Sequence, residues 1–187
     1  MRFTKFIGLL LLITGLGAAP AAAQSYSASY KFLKAIKDLD YREIKMAVEK
    51  GVNVNTRDYD DKATPLVIAS RMKEAPLVNY LLQNGAKPDM YGEDGRSPLV
   101  VAASLGEKTI VALLVKAGAD LDLADRNGVT PLIAAVIAKK SPVVKLLLEA
   151  GADYEMEDYS GRTPLQHAID IRHRRSEKLL TEAGASR

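Results

Sequence analysis

Cysteine is absent from the 187 residues. That absence removes disulfides, thiolate catalysis and sulfur-ligated metals together. Histidine occurs only twice, at His167 and His173. Six residues apart on a helix, the two face different ways, and no thiol can complete a metal set with them. His167 reads as a surface residue of a first helix, and His173 as a polar residue of a terminal cap. The glycines form no G-x-G-x-x-G run and no P-loop, and no serine stands in a nucleophile elbow. Nothing in this pattern indicates catalysis. An enzyme here would need acids converging from several separate loops.

Charge of one sign is equally scarce. The formal net charge of +3 includes Arg2 and Lys5, and the remainder is close to neutral. Such a balance gives no general case for nucleic acid or an acidic membrane surface. One long uncharged stretch exists, from Phe6 to Ala23. Its strongly apolar part ends near Gly17, short of the roughly 20 residues that a spanning helix requires. Arg2 and Lys5 precede it, and Ala21 and Ala23 form an A-x-A cleavage signal. The expectation is a leader at 1–23, a mature chain from Gln24 to Arg187, and no membrane anchor after cleavage. A periplasmic location follows from that expectation.

What the chain does contain is a period. Thr64-Pro65-Leu66, Ser97-Pro98-Leu99, Thr130-Pro131-Leu132 and Thr163-Pro164-Leu165 recur with a spacing of 33 residues. A hydroxyl followed by proline starts a helix: the side chain caps a backbone donor, and proline fits the first turn, where its N–H is not missed. Ala69, Ala102, Ala135 and Ala168 follow at one offset and permit close helix approach. Gly85, Gly118, Gly151 and Gly184 each precede an alanine and suit the left-handed residue that ends a helix. Gly51 begins a related stretch. Signals in phase at one period mark a repeat array.

The unit at 124–156 illustrates the pattern. "ADRNG" is a turn, Thr130 opens a short helix, and Lys139-Lys140 make a polar corner. Ser141 is expected to cap a second helix with Pro142 at its first position. Val144, Leu147 and Leu148 share one face. The first unit lacks the triplet and instead offers two helices parted near Leu39-Asp40, with Asp40 and Glu43 spaced like a capping box. Between Gly51 and Thr64 lies one residue more than in later units, and Lys62 stands where the turn glycine belongs, so the first hairpin should be distorted. In the last unit Glu177 and Thr181 replace apolar residues, as a solvent-facing cap requires.

The pattern D-x-x-G-x-T-P-L-x-x-A, followed by V-x-x-L-L-x-x-G-A, closely resembles the ankyrin repeat. The resemblance implies an all-α solenoid of about five helix-turn-helix repeats with projecting hairpins. The units would run over about 28–57, 58–90, 91–123, 124–156 and 157–187. Histidine commonly follows the triplet in that family, but Val67, Val100, Ile133 and Gln166 stand there, so its bonds to the neighbouring turn are expected to be missing.

The resemblance also implies a non-enzymatic monomer that binds another protein through its hairpin tips and first helices, with no cofactor. Carried over by position, that surface takes in Tyr91, Glu93, Asp94, Arg96, Arg126, Asn127, Tyr159, Ser160 and Arg162. Met72, Leu105 and Ile137 project beside it. Tyrosine and arginine are the side chains best suited to anchor an interface. Exported relatives of this kind include stress-defence accessories and toxin-immunity proteins. A second reading is small-ligand handling, for example of haem with His167 or Tyr91 as axial ligand. Asp58, Asp60 and Asp61 could attract calcium, but without a closing glutamate they read as a solvated turn. The run Arg172, His173, Arg174, Arg175 and Lys178 reads as a solvated cap.

Overall fold

The computed structural model describes residues 21–186. Most of the expected leader therefore lies outside the described residues. Ten helices and no strand are found among the described residues. They pair as α1 (Ala21–Asp38) with α2 (Tyr41–Glu49), α3 (Pro65–Arg71) with α4 (Ala75–Gln83), and α5 (Pro98–Leu105) with α6 (Lys108–Lys116). The pairs α7 (Pro131–Ile137) with α8 (Ser141–Ala150) and α9 (Pro164–Asp170) with α10 (Arg174–Ala183) complete the array. The odd-numbered helices pack side by side in one layer, and α4, α6, α8 and α10 form a row behind them. None of the described helices is long and apolar enough to cross a membrane.

The hydroxyl–proline signal works as chemistry predicts. Thr64, Ser97, Thr130 and Thr163 each accept a hydrogen bond from the backbone N–H three residues on. Thr163 and Gln166 complete a reciprocal capping box. In the first repeat Asp40 accepts from the Glu43 amide at 3.0 Å. The Asp40 amide is already bonded to the Ala35 carbonyl, so only half of that box forms.

The second helices depart from expectation. Lys140, not Ser141, is the N-cap of α8, and no side chain caps it. Ser141 is the first helical residue and Pro142 the second. The reason is the turn before it. Each helix pair is joined through one left-handed residue: Leu39, Lys73, Gly106, Lys139 and Arg172. That turn sets where the next helix starts, and the cap falls on whichever residue follows.

The core is a continuous stripe between the two layers. Ala69, Ala102, Ala135 and Ala168 are fully buried, and so are Leu77, Leu81, Ile110, Leu114, Val144 and Leu147. Behind the helices a polar ladder ties repeat to repeat. Asn55 accepts from the Lys87 amide, Asp89 from Asp120 and Asp122 from Asp153, at 2.8 to 2.9 Å. Each bond satisfies a backbone donor that would otherwise face a loop with no partner. The ladder and the apolar stripe together make each unit lean on its neighbours.

Candidate functional site

The hairpins run from the end of one helix pair to the cap of the next. Asp125 closes its turn by accepting from the Asn127 and Val129 amides, and Asp158 does the same for Ser160 and Arg162. The hairpins also bond to one another. The Glu93 amide donates to the Asp61 carbonyl at 2.7 Å, and the Tyr159 amide to Asn127 at 3.0 Å. Glu93, Arg126 and Tyr159 therefore share one register across three hairpins. Arg126 lies over Gly95, and the Tyr159 ring lies over Gly128. Tyr91 is placed differently. It precedes its turn, and its carbonyl accepts from Arg57 Nη1 at 2.6 Å, with the guanidinium 6.0 Å from the ring centroid.

The first hairpin is distorted as expected, in an identifiable way. Its closing bond runs from the Asp58 amide to Ala63, one residue further than the Asp125–Val129 and Asp158–Arg162 closures. Lys62 nevertheless takes the left-handed conformation that Gly128 and Gly161 take. Its ammonium donates to the Tyr59 carbonyl at 2.6 Å and sits 4.8 Å from the Tyr59 ring centroid. The acidic loop is not simply solvated. Asp58 is buried against Lys37 at 2.7 Å, and Asp61 pairs with Arg71 at 2.7 Å. Burial raises both carboxyls, but the Lys37 and Arg71 contacts and backbone donors outweigh it and hold them low.

One position at the end of the first helix, equivalent from repeat to repeat, tethers the hairpin above it. Arg71 reaches Asp61, Ser104 accepts from Arg96 at 2.7 Å, and Asp170 faces Arg162 at 3.7 Å. In the fourth repeat the same position is Ile137, which has no polar partner and is 43% exposed. Arg96 and Arg162 thus have intramolecular work, whereas Arg126 is exposed with no hydrogen bond or ion pair among the described residues. Asp94 accepts from the Arg96 amide, and the Ser160 hydroxyl donates to Asp158. Met72 and Leu105 are half-buried against the core.

His167 is not a surface residue. It is 7% exposed, and its Nε2 lies 2.7 Å from Asp158 Oδ2. The bond ties the fifth hairpin to its own first helix, from the residue after the place where the family usually carries histidine. This ring nitrogen faces Asp158 rather than an open pocket, so the haem reading gains no support from it. Burial would raise the Asp158 carboxyl, yet the Ser160 hydroxyl, the His167 ring and two backbone amides hold it well below the usual carboxylate range. A carboxyl depressed in the folded state contributes stability above its ordinary value of 3.8, and that contribution is lost as pH falls further. Asp158→Asn should accordingly be less stable than wild type at pH 7. In urea titrations the gap should close as pH drops below about 4.

Sequence reasoning missed the ground beneath the first hairpin. A cleft of about 790 Å³ opens between α1 and residues 53–60, lined by Tyr30, Leu33, Lys37, Arg57, Asp58 and Tyr59 among others. The first repeat lacks the triplet, so no signal in the chain placed α1 against that loop.

The ankyrin-repeat family model, described as three copies, matches residues 32–125, 70–158 and 99–186. The chain belongs to the ankyrin-repeat family. Comparison with curated proteins finds no match. Ankyrin repeats generally mediate protein–protein contacts, and in this array the exposed large apolar side chains are distributed unevenly. They are Tyr30, Tyr41, Tyr59, Tyr91, Ile137 and Tyr159. Four of the six lie on hairpins or at a first-helix end, and none lies on α4, α6, α8 or α10.

Proposed function

We propose that this ankyrin array is a non-enzymatic, exported module that holds another protein on its hairpins and the adjoining first-helix ends. The observation that carries the reading is the placement of Arg126 and Ile137 in the fourth repeat and Tyr159 in the fifth. Tyr159 is 80% exposed and Ile137 43% exposed, and Arg126, also exposed, makes no hydrogen bond or ion pair among the described residues. Exposed, uncommitted aromatic, aliphatic and arginine side chains on adjoining repeats are the composition of an interface anchor. Tyr91 and Tyr59 extend the same edge toward the first repeat.

The combined change of Tyr91, Arg126 and Tyr159 to alanine touches no core position, so melting and helicity should stay near wild type. Capture of the partner should fall by more than about tenfold, equivalent to roughly 1.4 kcal/mol. Gln83→Ala with Lys116→Ala, on α4 and α6, is the matched control and should leave capture intact. A control that loses binding while the triple variant keeps it would move the interface to the second helices.

Export rests on the leader pattern and has its own check. Mass analysis of protein from its native host should give Gln24 as the amino terminus, in the periplasmic fraction. A Met1 form retained in membranes would overturn the exported reading while leaving the binding surface as it is.

A further inference from the structure

The second-helix face carries a depression that the hairpin reading does not use. It lies between α6, α8 and α10, encloses about 300 Å³, and is lined by Lys108, Ser141, Lys145, Glu149 and Arg175, with Pro142, Leu146 and Leu179 as its apolar wall. Glu149 is committed to Lys145 at 3.6 Å. Lys108 and Arg175 are exposed and carry no ion pair among the described residues. The lining is therefore cationic in excess by two charges.

Ser141 makes this more than a patch of lysines. It is 4% exposed, it does not cap α8, and its hydroxyl makes no hydrogen bond among the described residues. The Ser70 hydroxyl also lacks a partner, but it is sealed in the core, whereas Ser141 opens into the depression. The Ser141 residue is thus held nearly out of solvent while its hydroxyl faces the depression, free to donate to a group bound there. It stands at the amino-terminal end of α8, a 10-residue helix, where the helix dipole favours negative charge.

We propose that this depression binds a phosphate monoester. The Ser141 hydroxyl would donate to one phosphate oxygen, with Lys108 and Arg175 closing on the others and Lys145 balanced by Glu149. The charge favours a dianion over a carboxylate. A phosphate monoester carries about −1.5 to −2 at neutral pH, matching the excess of two, whereas a lone carboxylate would leave one cation unmatched. This site is separate from the hairpins, and neither proposal depends on the other.

The test is calorimetric titration of the full chain with inorganic phosphate at constant ionic strength in chloride buffer. Saturable binding is expected. Ser141→Ala and the double variant Lys108→Ala with Arg175→Ala should each weaken it by about tenfold or more, as loss of charge-assisted hydrogen bonds requires. Lys116→Ala should leave it unchanged. Two further arms identify the source of the phosphate. Glycerol 3-phosphate binding as tightly as inorganic phosphate points to a free ester, and tighter binding to phosphatidic acid vesicles that Ser141→Ala still weakens points to a lipid headgroup. A wild-type chain that does not saturate, or a Ser141→Ala variant that binds as wild type does, would overturn the proposal. Vesicle binding that only salt abolishes would do the same, since that is charge screening and not a site.

Discussion

Leu147→Asp should abolish cooperative folding of the C-terminal half of the array. Leu147 is fully buried on α8, which packs against α6 on one side and α10 on the other. Truncating a buried leucine costs about 2 to 5 kcal/mol. The aspartate adds an unpaired charge with no cation beside it in the core, a further cost of several kcal/mol. Typical whole-domain stability is only about 5 to 15 kcal/mol. Because each repeat is held by its neighbours, loss of the fourth also uncovers the third and fifth. Circular dichroism with urea should show reduced helicity and a broadened or missing transition. Thr130→Val is the scale for comparison: its hydroxyl accepts from the Ile133 amide at 3.2 Å, and losing that cap should cost about 1 kcal/mol. Equal midpoints for the two variants would mean that the packing of α8 is misassigned.

The second large effect separates two glycines that look alike in the sequence. Gly128 and Gly151 both have left-handed backbones, at φ 77° and 94°. A Cβ at Gly151 would meet nothing within 4 Å, so Gly151→Ala should cost only the conformational strain, about 1 kcal/mol. A Cβ at Gly128 would stand 2.7 Å from the Tyr159 amide nitrogen and 3.0 Å from the Asp158 Cα. Backbone cannot swing aside as a side chain can. Gly128→Ala should therefore break the bond from the Tyr159 amide to Asn127, part the two hairpins, and cost about 2 to 4 kcal/mol in all. Denaturation midpoints check the ranking.

The two glycines show where sequence stops being informative. The 33-residue period, the hydroxyl–proline caps and the buried alanines were legible because they are local chemistry repeated in phase. Lys62 was legible too, since a residue out of pattern advertises a changed turn. Other features depend on contacts across the chain. His167 is buried because the hairpin bearing Asp158 folds back over α9, and no local pattern says so. Arg96 and Arg162 seemed as available as Arg126 until Ser104 and Asp170 were found beside them. Ser141 should have capped by propensity, yet the left-handed Lys139 starts α8 one residue early. In each case tertiary geometry overrode a correct local preference.

The claim that the hairpin edge holds a protein partner is tested most directly by site-specific photo-crosslinking in the native host. A photoreactive residue replaces Tyr159 or Ile137 in one set, and Gln83 or Lys116 on the second helices in another. One discrete adduct of the same mass is expected from Tyr159 and Ile137 and none from Gln83 or Lys116. Adducts confined to the second helices, or none from any of the four positions, would contradict the account.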